Sequence, residues 1–318
     1  MRPSCCSPIL SWLWDVEKLV KCNRKGEIVL HLKTGIQLYS VRQSLKRDPY
    51  GTLAQVAEIG YKYVEAANHN ALDDPGVGFG VPAKQMKDSL DRLGLRIVGS
   101  HINPLQSESL DRVLDYHQEL GNTQIGCDIE FYPYNDRDYL LRRCEFFNQV
   151  GEICRQRGMR FYYHNHYQEF QTMGDSTVYQ IIMENTDPSL VFVEMDTYWI
   201  ARAGQNPVEL IDRYKDRLVL LHQKDFPADA PQPLVMFDGI LNYDAEINMD
   251  VFSATKNALC FTEIGTGILP IQDYIDAASS APNLAYIILE QDSTQLDEIE
   301  SIRVSMEAFR KFSKIGWD

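Results

Sequence analysis

Four of the chain's seven histidines, His101, His164, His166 and His222, stand at the ends of short apolar runs. Comparable positions hold Gln37 and Tyr39, Glu65, Asn103, Asp128, Asp196, Lys224 with Asp225, and Glu290 with Asp292. Imidazole nitrogens and carboxylates together suit a borderline divalent ion such as Mn²⁺, Co²⁺ or Zn²⁺, with water completing the shell. No local spacing motif joins these residues, so a metal site requires a fold that gathers separate segments. Each also has a plainer use. Asp196 can cap a turn, Glu290 can pair with Lys224, and His101 can be a satisfied core histidine. His117, within a helical stretch, and His31, near the start, read as structural or solvated.

A closed sheet would gather them. From Thr34 onward, short apolar runs alternate with amphipathic segments, the pattern of parallel strands covered by helices. The predicted strands are Thr34 to Tyr39, Tyr61 to Ala66, Leu95 to His101, Thr123 to Cys127, Arg160 to His164, Leu190 to Met195, Leu218 to His222 and Ala285 to Glu290. Helix signals fall between them. Asp48-Pro49 supplies a cap and first-turn proline, Pro82 opens a helix that Gly94 stops, and Gly121 and Gly158 close the next two. Thr177 to Asn185, the helix opened by Asn206-Pro207, Ile271 to Ala278 and Leu296 to Lys314 follow the same rule.

Eight strand and helix units predict a (β/α)₈ TIM barrel, whose chemistry sits at the C-terminal strand tips. The long connection from His222 to Ala285, with a polar helix-like stretch near Ala245 to Asn257, reads as a lid or substrate-lining loop. Residues 31–318 form the barrel domain. Residues 1–30 read as an appended leader, disordered or a short helix.

The 318 residues are 44% hydrophobic and 24% charged, ordinary for a protein with a substantial core. A formal charge of −14 repels phosphate backbones and argues against nucleic acid as the partner. Seven cysteines without a C-x-x-C pair fit a reduced, cytoplasmic chain. The apolar run from Pro8 to Trp14 is short for a signal peptide, Arg2 stands where myristoylation needs glycine, and no membrane partner is expected.

The segments "GIQLYSVR", "YHNHYQEF", "VEMDTYWIARAG", "LLHQKD", "FTEIGTGILPI" and "YIILEQD" together resemble the sugar phosphate isomerase/epimerase family of xylose isomerase-like barrels, from about residue 34 to the end. The wider superfamily also includes endonuclease IV, hydroxypyruvate isomerase, ketose 3-epimerases and inosose dehydratase. The resemblance implies metal ligands on strands five to eight: His164, Asp196, His222 and Glu290. The fifth-strand position is commonly glutamate, so His164 is a departure, and His166, two residues on along the same face, is the alternative ligand.

The resemblance further implies an enediolate route on a small keto-sugar or sugar phosphate, with Glu290 as a proton-transfer group and Glu169 as its partner on the opposite face. Lys224 is the candidate acid. Gln37, Glu65, His101, His166, Trp199 and Asp225 are the expected substrate contacts, with Trp199 equally readable as core. The rival outcome is elimination by a dehydratase like inosose dehydratase. Endonuclease IV carries a further metal-binding histidine where Trp199 stands, so additional zinc ions are not expected. A homo-oligomer is left open.

Overall fold

The computed structural model describes residues 19–22 and 28–317. Eight parallel strands are present: β1 (Ile28–Gln37), β2 (Tyr63–Asn68), β3 (Arg96–Ile102), β4 (Gln124–Cys127), β5 (Arg160–His164), β6 (Val191–Asp196), β7 (Leu218–Gln223) and β8 (Tyr286–Leu289). Each pairs with the next, and β8 pairs with β1, so the sheet closes on itself. Closure removes both sheet edges and turns all eight C-terminal tips toward one mouth.

Eight helices alternate with the strands: α1 (Pro49–Ile59), α2 (Ala83–Leu93), α3 (Ser107–Leu120), α4 (Arg137–Gln156), α5 (Val178–Asn185), α6 (Pro207–Tyr214), α7 (Ile271–Ala278) and α8 (Glu298–Phe309). Their ends follow local chemistry. The Asp48 side chain accepts from Gly51 N at the start of α1, Thr177 from Gln180 N at the start of α5, and Asn206 from Val208 N at the start of α6. Gly94 and Gly121 end α2 and α3 in the left-handed region.

The expected leader is only partly within view. Leu19–Cys22 runs antiparallel to Ile28–His31, and β1 begins at Ile28, so the expected boundary at residue 30 falls inside a strand. Residues 1–18, with Cys5 and Cys6, lie outside the described residues. No helix among the described residues is long and apolar enough to cross a membrane.

Inside the barrel, Tyr63, Val98, Tyr162, Val219, Leu220 and Ile288 pack as a separate apolar floor. Tyr162 reaches across because its neighbour is a glycine: a Cβ on Gly126 would lie 2.0 Å from the tyrosine ring. The long connection after β7 folds over the mouth. The Asp225 carboxylate accepts backbone N–H groups from Phe226, Gly265, Gly267 and Leu269 at 2.9–3.1 Å. A short helix, Met249–Thr255, sets Phe252 against His166, Tyr167 and Trp199. This is a packed lid.

Candidate metal centre and substrate cavity

The tip of β6 carries Asp196, whose Oδ1 accepts from Trp199 N at 3.0 Å and caps the turn that follows. Its other oxygen pairs with the Lys224 ammonium, which also pairs with Glu290 at the end of β8. All three side chains are buried. Burial disfavours the Lys224 charge, but Asp196 and Glu290 outweigh it and keep the lysine protonated. Burial likewise pushes Glu290 up, while Lys224 and His222 overcome it and hold the carboxyl well below the usual range.

His222 at the tip of β7 turns Nδ1 to Glu290 Oε2 at 2.9 Å and Nε2 inward to Glu65 Oε2 at 2.6 Å. His164 at the tip of β5 turns Nε2 toward Asp196 Oδ2, 4.0 Å away, and that nitrogen is buried without a hydrogen-bond partner. Donor atoms of His164, Asp196, His222 and Glu290 all lie within 4.8 Å of one another. Two imidazoles, two carboxylates and an orphaned buried nitrogen fit a divalent ion, which would satisfy the orphan and offset the acidic charge. Of the two fifth-strand histidines, His164 is the one that falls in this group.

Beneath this group lies a second polar layer. Glu194, in the middle of β6, accepts from His101 Nε2 at 2.6 Å and His164 Nδ1 at 3.0 Å, and lies 2.9 Å from His222 Nε2. Glu65 completes the layer with the Tyr162 hydroxyl. Burial opposes a charged His101, but Glu65 and Glu194 raise it well above the ordinary imidazole value. Its other nitrogen meets Asp128 Oδ1 at 3.1 Å, and Asp128 in turn meets His69 Nε2 at 3.2 Å.

Above the group opens a cavity of about 530 Å³ lined by residues that include Tyr39, Arg42, His69, Asp128, His166, Phe252, Lys256, Glu290 and Asp292. Of the six expected substrate contacts, only His166 lines it. Burial pulls His166 well below the ordinary imidazole value, and its Nδ1 has no hydrogen-bond partner.

The other five do not line the cavity. Gln37 caps its own turn through Tyr39 N and donates to Ala66 O. Glu65 and His101 are buried in the polar layer below. Trp199 is core, packed on Tyr167, Phe252 and Phe261. Asp225 anchors the lid.

Glu169 also departs from its expected place opposite Glu290. Its carboxylate accepts from His166 N at 2.8 Å and the Tyr163 hydroxyl at 2.9 Å, and it does not line the cavity. It fixes the β5 tip from behind. Burial raises it to about 7, against those two hydrogen bonds. His117 is the buried structural histidine expected, beside Asn122 and pulled down to about 3 by burial.

Sequence reasoning missed Glu194, and it did not assign roles to Asp128 or His69. A charged residue inside an otherwise apolar strand was the available signal for Glu194.

Residues 53–312 match the xylose isomerase-like TIM barrel family. The chain belongs to that family. An inosose dehydratase of Clostridium beijerinckii is 30% identical over 106 residues, 33% of this chain and 34% of that protein. An inosose dehydratase of Lacticaseibacillus casei is 24% identical over 172 residues, 53% of each chain. The matched region thus spans only about a third of the first of these relatives and half of the second.

Among solved structures, a sugar phosphate isomerase/epimerase from Parabacteroides distasonis superposes with a TM-score of 0.66 at 23% identity, over 90% of this chain and 96% of the other. The IolI protein with a bound zinc atom superposes with a TM-score of 0.63 at 12% identity, over 89% of this chain and 100% of that one. At these identities the likeness concerns the fold. Members of the family include isomerases, epimerases and dehydratases.

Proposed function

We propose that this chain is a divalent-metal-dependent isomerase or epimerase of a keto-sugar or sugar phosphate, working by proton transfer beside a carbonyl. The observation that carries the reading is the convergence of His164, Asp196, His222 and Glu290 within 4.8 Å, with Glu290 on the wall of the cavity. An ion bound there supplies positive charge beside a substrate carbonyl, which acidifies the neighbouring C–H.

The chain's own groups then act from two sides. Glu290 follows β8 and Asp128 follows β4, opposite strands of an eight-stranded barrel, so a ring between them meets a carboxylate on each face. Burial disfavours ionised Asp128, but hydrogen bonds from His101 and His69 outweigh it and hold the carboxyl well below the usual range. His166 adds an unpartnered imidazole nitrogen on the β5 side. Arg42 and Lys256 at the cavity offer positive charge to a phosphate or carboxylate arm. Phe252 and the lid helix exclude water above the site.

A second reading, dehydration of a keto-inositol or 3-keto-sugar, is favoured by one specific observation. Glu169 is turned away from the cavity, which removes the expected second glutamate of an epimerase. The inosose dehydratase relatives point the same way.

A screen of keto-sugars, sugar phosphates and keto-inositols in D₂O with Mn²⁺ tests both. Deuterium in an isomerised or epimerised product supports the first reading, and loss of water supports the second. Absence of exchange and product across the panel, with metal bound, overturns both.

A further inference from the structure

We infer that Glu194 is a positioning residue that holds the His164 ligand of the metal centre in the tautomer whose Nε2 is free for the ion. The inference rests on the metal reading proposed above. It starts from parity: Glu194 lies two residues before Asp196 on β6, so the two side chains leave the strand on the same face, one turned to the barrel floor and one to its mouth.

The Glu194 carboxylate is fully buried, and its Oε2 meets His101 Nε2 at 2.6 Å and His164 Nδ1 at 3.0 Å. Those are hydrogen-bond lengths. A tetrahedral ion with bonds of about 2.0–2.1 Å would hold nitrogen and oxygen roughly 3.3 Å apart, so this inner group is a hydrogen-bonded cradle and not a second metal site.

An ionised carboxylate only accepts, so each ring nitrogen facing Glu194 carries a proton. For His164 that nitrogen is Nδ1, leaving Nε2 bare beside Asp196. The Glu194 carboxylate thus turns one unprotonated His164 nitrogen toward the ion. His222 is held separately, with Nε2 on Glu65 Oε2 at 2.6 Å and Nδ1 on Glu290 Oε2 at 2.9 Å.

Glutamine has one acceptor and one donor in place of two acceptors. In either orientation its amide N–H faces an imidazole N–H, and relief by tautomer exchange puts a proton where the ion must bind.

The test uses Zn²⁺ and Co²⁺ on the full chain. In the Zn²⁺-loaded natural protein, ¹⁵N-imidazole spectra should show His164 protonated at Nδ1, with Nε2 on the ion. Glu194→Gln should fold, by near-ultraviolet circular dichroism, yet bind Co²⁺ about 10- to 100-fold more weakly in chelator competition, with an altered visible Co²⁺ spectrum. If the natural protein binds neither ion, the metal reading itself fails. If it binds Zn²⁺ with His164 protonated at Nε2, or if Glu194→Gln binds Co²⁺ as tightly with an unchanged spectrum, the inference about Glu194 fails while the metal reading stands. Should the variant not fold, the tautomer measurement on the natural protein decides.

Discussion

Replacing Glu169 with glutamine should change the pH dependence of stability in a calculable way. Its carboxyl is fully buried, and burial raises it to about 7 from an ordinary value of 4.5. The folded state therefore holds this proton up to about pH 7, while the unfolded chain releases it near 4.5. Stability from this group is fully present below pH 4.5 and is lost as pH rises through 7.

The shift of about 2.5 units, at 1.36 kcal/mol each, amounts to about 3 kcal/mol by the time both states are ionised. The glutamine side chain cannot ionise, and its amide oxygen can still accept the N–H of His166 that Glu169 Oε2 accepts at 2.8 Å. The Tyr163 hydroxyl, shared with Tyr132 at 3.0 Å, can turn to accept from the new amide. Urea unfolding of both proteins at pH 5, 6, 7 and 8.5 measures the difference, in which every other titrating group cancels. The variant should gain about 2.5 kcal/mol on the parent between pH 5 and 8.5, nearly half of it below pH 6 and most of it by pH 7. A difference that stays flat across that range would refute the buried, proton-holding Glu169.

Four further outcomes follow from the site. Asp196→Ala and His222→Ala should each remove about one bound Mn²⁺ or Zn²⁺ per chain without unfolding it, as metal analysis with circular dichroism will show. Lys224→Met leaves Asp196 and Glu290 as facing buried carboxylates, so the metal-free variant should lose about 3–5 kcal/mol, and saturating Mn²⁺ should restore most of it; equal losses with and without Mn²⁺ contradict that picture. Glu290→Gln should slow substrate C–H exchange with D₂O at least about 100-fold at saturating metal, whereas near-normal exchange would move the base to His166 or Asp128. Abasic DNA should not be nicked at low salt, given the charge of −14 and Trp199 packed as core.

The barrel is legible in the sequence because its punctuation is local. Arg160–His164 forms as expected, set off by Gly158 before it and by the turn after His166. β1 starts earlier than expected: Asn23 and Gly26 punctuate the chain before the Ile28 to Leu32 run, a turn signal that a strand count begun at Thr34 leaves aside. The candidate metal donors are legible because they stand at the ends of strands, where the count of strands alone fixes which tips meet.

Asp225 and Glu169 depart from expectation for a related reason. On β7, His222 and Lys224 share one face by alternation, and Asp225, three residues after His222, falls on the other, so parity alone turns it toward the lid. Glu169 lies beyond the end of β5, where the chain enters a short 3₁₀ turn and alternation no longer tells which way a side chain points.

The same parity makes Glu194 the most informative residue that sequence reasoning passed over. "VFVEMD" puts two carboxylates on one face of a strand whose interior should be apolar, and the inner of the two cannot reach the mouth. A buried, ionised carboxylate needs several donors to offset its lost hydration. The neighbouring strands β5 and β7 end in histidines, and the register sets His164 beside Glu194 and His222 beside Asp196. Histidine in place of the usual fifth-strand glutamate then has a physical consequence: a ligand that must shed a proton from one nitrogen and keep it on the other requires an acceptor behind it. Glu194 is that acceptor, so His164 and Glu194 should change together, and a chain with glutamate at the fifth strand has no need of a carboxylate two residues before its sixth-strand aspartate.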